Sequence, residues 1–139
     1  KLDGAWKRVY EIAYINNTPV DTLAVPSDII LDVKIMTNGR FAYQVDLTGN
    51  AEVDTPQYGG FGGYGYYDYD DVDQTLKEYP VFGSGSNTTD REEMQRTNFQ
   101  THEIKFYNDD LFIQIDKSNQ GMVSYEGATG RGVVYRRIK

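Results

Sequence analysis

GGFGGYGYYDYDD, residues 59–71, is the stretch whose reading decides the fold. Its glycines at 60, 62 and 65 spell G-x-G-x-x-G, the spacing of loops that hold a dinucleotide pyrophosphate. Such a loop needs an apolar strand before its first glycine and a helix after its third, because the helix N-terminus supplies amides and dipole to the phosphates. Here DTPQY precedes and YYDYDDVDQTL follows, a run of Tyr, Asp and Val that resists helix, and no Lys or Arg stands between Phe41 and Leu76. The stretch therefore reads as a strand. Tyr67 and Tyr69 face inward, Asp68 and Asp70 face water, and Gly63 and Gly65 lie on the inner face ahead of the rings. Glycine inside a strand marks a bend or a close approach, which small barrels need in order to close.

Outward from it, period-two apolar alternation continues along most of the chain. Strands are expected over 5–14, 29–37, 40–47, 63–69, 72–79, 99–107, 111–116, 122–126 and 132–138. One short helix is expected over 89–97, where Thr89 and Glu92 have capping-box spacing and Glu92 and Arg96 an i,i+4 relation. For the hairpin at TNGR, a three-residue loop with a bulge at Gly39 pairs Ile35 with Phe41 and Val33 with Tyr43, and so makes one face apolar. For the hairpin after Tyr107, an even-length loop groups His102, Ile104 and Phe106 with Leu111, Ile113 and Ile115. The fold class is all-β, an antiparallel barrel of eight to nine strands, in one domain over 1–139.

The 139 residues carry a formal charge of −7 and no cysteine, which removes thiolate metal sites, cysteine nucleophiles and redox pairs. Between Phe41 and Leu76 the charge is wholly acidic, a surface that repels a phosphate backbone, so nucleic acid is not an expected partner. No apolar run approaches the ~20 residues of a spanning helix, and no charged-then-apolar leader is visible after Lys1. Twelve tyrosines suit either a barrel core or the wall of a partly wet cavity.

The run from Asp68 to Asp73 invites a calcium loop, but the sixth and twelfth positions, Asp73 and Tyr79, lack the required glycine and glutamate. His102, the one histidine, reads as a strand residue near the core edge, hydrogen-bonded to a carbonyl or carboxylate. A metal site needs partner ligands and a nucleophile needs a base with an orienting acid, and spacing supplies neither. No catalytic residue, metal or cofactor is expected.

At the N-terminus, LDGAWKRV carries Gly4 and Trp6 in the G-x-W pattern, and the chain ends VVYRRIK. These segments resemble the first and last strands of the calycin group, the lipocalins and fatty-acid-binding proteins. The resemblance implies that Trp6 closes one barrel end while Arg137, with Arg136 as second choice, packs across its ring. With Leu2 and Lys7, VKIMTNGRF at 33–41, the glycine-tyrosine strand at 62–67 and Tyr135, the chain is also similar to small lipocalin-like proteins exported by Gram-negative gut bacteria. That resemblance implies an exported protein, periplasmic or outer-membrane-associated, which binds a small apolar or aromatic ligand without catalysis. The expected wall residues are Tyr10, Phe41, Tyr43, Tyr67, Tyr69 and Phe106. The alternative is an extracytoplasmic domain that binds protein or glycan through the Tyr/Gly-rich segment.

Overall fold

The computed structural model describes residues 1–27, 29–47, 59–83, 99–116 and 125–139. Among the described residues nine strands run in chain order: β1 (Gly4–Ile15), β2 (Thr18–Ala24), β3 (Ile29–Thr37), β4 (Arg40–Leu47), β5 (Gly59–Asp70), β6 (Thr75–Gly83), β7 (Gln100–Asn108), β8 (Leu111–Asp116) and β9 (Gly130–Arg137). All pairings are antiparallel, in the order β1-β3-β4-β5-β6-β7-β8-β9, and β9 returns to pair with β1, so eight strands close on themselves. β2 stands outside this closure. One edge of β1 is shared: Gly4–Lys7 bonds to β3, while Tyr10–Ile15 bonds to β2.

Among the described residues there is no helix, and the helix expected over 89–97 falls outside them. Of the strand expected at 122–126, only Tyr125 and Glu126 are described, and they bend and turn. β2 was not expected. It is exposed along nearly its whole length, so it shows no alternation, and its signal is the Asn16-Asn17 turn before it. Both asparagines take positive φ, 49° and 65°, as a two-residue hairpin turn requires.

Both expected hairpin registers are corrected. At TNGR the turn is the two-residue Asn38-Gly39, with φ of 48° and 74°, and Met36 pairs with Phe41. Lys34 then lies opposite Tyr43 and Asp32 opposite Val45 on the inner face, while Ile35 turns outward and is 51% exposed. In the β7–β8 hairpin a bulge at Tyr107 brings Phe106 opposite Phe112 and Ile104 opposite Gln114. Thus His102, Ile104 and Phe106 share the inner face with Phe112 and Gln114, and Leu111, Ile113 and Ile115 point outward. There Ile113, Ile115 and Val134 form a second buried cluster with Tyr10, Ile12 and Tyr14 packed on it.

The inner core fills one end of the barrel. Trp6, Met36, Leu76, Ile104 and Phe112 are fully buried there, each worth roughly 1.5–3 kcal/mol of transfer free energy. Trp6 meets Phe112 edge to face at 4.7 Å, and its indole N–H donates to the Leu2 carbonyl at 2.7 Å. The Arg137 guanidinium lies 4.1 Å from the centre of the Trp6 ring and donates to the carbonyls of Asp3, Lys1 and Asp109. Arg136 is exposed. Gly4, at φ 141°, passes so close to Arg137 that a β-carbon would collide with its guanidinium. At the other end β4, β6 and β8 finish and β5, β7 and β9 begin, and residues 48–58, 84–98 and 117–124 between them lie outside the described set.

Candidate functional site

Above the aromatic plug the barrel holds a cavity of about 710 Å³. Its wall has two characters. On the β4–β5 side the inward positions stay apolar: Phe41, Tyr43, Val45 and Leu47 from β4, and Phe61 from β5. Gly63 and Gly65 lie behind these rings, and a β-carbon on Gly63 would stand 2.8 Å from Tyr43 Cε1, while one on Gly65 would stand 3.0 Å from Phe41 Cε1. The glycines thus let the β4 rings lean against bare backbone.

On the remaining strands the inward positions become polar one step above the plug. β1 goes from Trp6 to Arg8 and, past its bulge, Glu11; β3 from Met36 to Lys34 and Asp32; β6 from Leu76 to Glu78; β8 from Phe112 to Gln114; and β9 from Tyr135 through Val133 to Arg131. These groups bind one another. Arg8 pairs with Glu11 and, at 3.1 Å, with Asp32; Arg131 reaches Glu11 at 3.3 Å; Lys34 pairs with Glu78 and donates to Gln114 Oε1 at 3.1 Å. Lys34 also lies over the rings of Phe41, at 5.5 Å, and Tyr135, at 6.0 Å.

Burial pushes the Lys34 ammonium down to about 7 against the opposing pull of Asp32. Burial, reinforced by the nearby Lys34 charge, pushes His102 down to about 4, so its ring is neutral near pH 7. His102 Nε2 stands 3.6 Å from Glu78 Oε2, and neither ring nitrogen has a hydrogen-bond partner among the described residues. This corrects the expected hydrogen bond. Burial likewise pushes the Tyr135 hydroxyl far up, which keeps it a neutral donor.

The structure divides the six expected wall residues. Phe41 and Tyr43 line the cavity. Tyr67, Tyr69 and Phe106 pack inside the barrel against the aromatic plug, and the Tyr67 hydroxyl donates to Asp3 at 2.9 Å, its pKa pushed up to about 12 chiefly by burial. Tyr10 is on the outside of the barrel. The bulge between Arg8 and Tyr10 reverses the parity of β1, so Tyr10 pairs with outward Val134. The Asp68–Asp73 run forms the β5–β6 hairpin tip, where Asp70 Oδ1 accepts from the backbone of Val72 at 2.9 Å and of Asp73 at 3.1 Å. The charged wall was missed, although its signal was available. If Arg137 covers Trp6, period two sends Tyr135, Val133 and Arg131 inward, and the Asn-Gly turn does the same for Lys34 and Asp32.

The eight strands close into an antiparallel barrel plugged at one end by the first-strand Trp6 under the last-strand Arg137, the arrangement that the resemblance to the calycin group implied. No protein-family model matches the chain, and no curated protein matches it. Among solved structures it is similar to japanin from Rhipicephalus appendiculatus, bound there to cholesterol, with 8% sequence identity and a TM-score of 0.48 over 97% of this chain and 74% of that one. The fold assignment here stands on the β1–β9 closure itself.

Proposed function

We propose that this chain is a non-catalytic binding protein that holds one small molecule, apolar or aromatic over most of its body, in the upper half of the barrel. The observation that carries this reading is the cavity of about 710 Å³ with an apolar β4–β5 wall. That volume falls within the range of small-molecule sites, and barrels of about eight strands leave room for one such ligand. Phe41 and Tyr43, with Phe61, are the residues assigned to ligand contact. Among the described residues His102 has no hydrogen-bonded acid or base to work with, and no catalytic role is assigned to it.

One observation favours a second reading, an interaction domain for protein or glycan. Tyr64 and Tyr66 of β5, with Phe82 of β6 and Phe99, are each 42–52% exposed on the outer face, and Tyr64 stacks on Phe82 at 5.7 Å. Native mass spectrometry of protein purified without denaturation separates the two. The ligand-binding reading expects a discrete added mass that organic extraction removes. Repeated recovery of empty protein that also takes up no apolar dye sinks it and leaves the outer aromatic face as the functional surface.

A further inference from the structure

The polar wall constrains the charge of the ligand, given the binding function proposed above. Three cations belong to it, Arg8, Lys34 and Arg131, and each already meets a carboxylate: Arg8 meets Glu11 and Asp32, Arg131 meets Glu11, and Lys34 meets Glu78. Among the described residues, no cation on this wall stands without an acid beside it. Arg8 Nε and Arg131 Nε have no hydrogen-bond partner among the described residues, yet both guanidinium charges are already matched by Glu11 and Asp32. A carboxylate, sulfonate or phosphate entering the lumen sheds its water and finds no uncompensated positive charge to replace it, and burying a charge without a partner is strongly unfavourable. Neutral hydrogen-bonding groups remain at the same depth: the Gln114 amide and the Tyr135 hydroxyl line the cavity with the paired charges. The apolar wall begins directly opposite, at Phe41 and Tyr43.

We propose that the ligand is an uncharged amphiphile, with an apolar body against the β4–β5 wall and a neutral alcohol, ester or amide head against Gln114 and Tyr135. Fatty acids and other anionic amphiphiles are discriminated against by a wall whose cations are already paired.

The test uses the full chain loaded with Nile red, a neutral dye that brightens in apolar surroundings, and titrates it at neutral pH with oleyl alcohol and with oleic acid. These differ at the head alone. The alcohol is expected to displace the dye at a concentration lower by about tenfold or more, a difference of ~1.4 kcal/mol. Equal or better displacement by the acid overturns the proposal, as does displacement by neither, while dye uptake in those cases leaves the binding function standing. Failure of the dye to enter, with empty protein in native mass spectrometry, removes both. Glu78→Gln offers a second arm, because it takes one acid from the wall and leaves Lys34 without its carboxylate. The alcohol-to-acid preference is expected to narrow about tenfold. An unchanged preference in a folded Glu78→Gln protein overturns the charge argument, and if that variant fails to fold, the alcohol and acid titrations of the unaltered chain decide alone.

Discussion

At the plugged end of the barrel the inward residues are Trp6, Met36, Leu76, Ile104, Phe106 and Phe112, while one step higher on the same strands they are Arg8, Lys34, Glu78, His102 and Gln114. Backbone, pleat and parity are shared by the two layers. What differs is how each satisfies its own interior. The lower layer gains from transfer out of water and from ring contacts such as Trp6 on Phe112. In the upper layer charges hold one another, a poor source of stability because desolvation offsets most of their attraction. Beside that network stand two glycines that keep room open. The comparison teaches that stability and ligand capacity occupy different depths of one sheet, so substitutions can move them apart.

The largest expected break in that division comes from Trp6→Ala. It empties the plug, removes the surface on which Arg137 rests and orphans the Leu2 carbonyl. Loss of a buried Trp costs about 3–5 kcal/mol, and the cation–π contact adds about 0.5–2 kcal/mol at such sites. Urea denaturation followed by far-ultraviolet circular dichroism is expected to show a loss at or above the top of the first range. A loss below ~1 kcal/mol means that the plug does not carry the fold.

Next in size is the acid response of the upper layer. Burial holds His102 near 4, against 6.5 when free, so between these values the unfolded chain binds a proton that the folded chain refuses. Stability therefore rises with pH through that window, is complete above it, and falls on acidification by about 1.4 kcal/mol per pH unit, roughly 3 kcal/mol in all. Carboxylates also belong to this wall, so the measurement is a difference between two proteins. Urea midpoints across the window are compared with those of His102→Gln, which is expected to lose the share of the slope that belongs to the imidazole. Parallel curves for the two proteins would falsify the neutral, buried state of His102.

The same two layers explain what could be read in advance. Strand β5 was legible in its parity: with no partner strand known, alternation alone set Gly63, Gly65, Tyr67 and Tyr69 on one face, and they share it. Trp6 and Arg137 were legible only through the resemblance of LDGAWKRV and VVYRRIK to the first and last strands of the calycin group, and Arg137 does lie over the Trp6 ring. The polar wall was not, because a rule that pairs apolar residues cannot find an interior built of ions. At TNGR that rule asked for Ile35 opposite Phe41, whereas the Asn-Gly pair fixed a two-residue turn and sent Ile35 into solvent and Lys34 inside. Turn chemistry decided the register, and Glu78 with the Phe41 and Tyr135 rings supplied the environment that tolerates Lys34 inside. Tyr10 failed for a related reason: the β1 bulge at Val9 leaves no mark in a local pattern, yet it exchanges every inward and outward position that follows.

Gly63→Ala is expected to give the smallest change in stability and the sharpest separation of the two layers. A β-carbon there meets the Phe82 carbonyl across the β5–β6 ladder and the Tyr43 ring, 2.8 Å at Cε1 and 3.0 Å at the hydroxyl. The plug lies below and is untouched, so the cost is local overpacking of about 1–3 kcal/mol. Tyr43 can yield only by swinging into the cavity, because its ring leans on β5 at its back and meets Phe61 edge to face at 6.4 Å. Nile red uptake is therefore expected to fall by about tenfold, the equivalent of ~1.4 kcal/mol, while the urea midpoint moves far less than in Trp6→Ala. Unchanged dye affinity at the expected loss of stability would mean that the β5 glycines serve the curvature of the barrel alone, and that the space beside Tyr43 is not where a ligand rests.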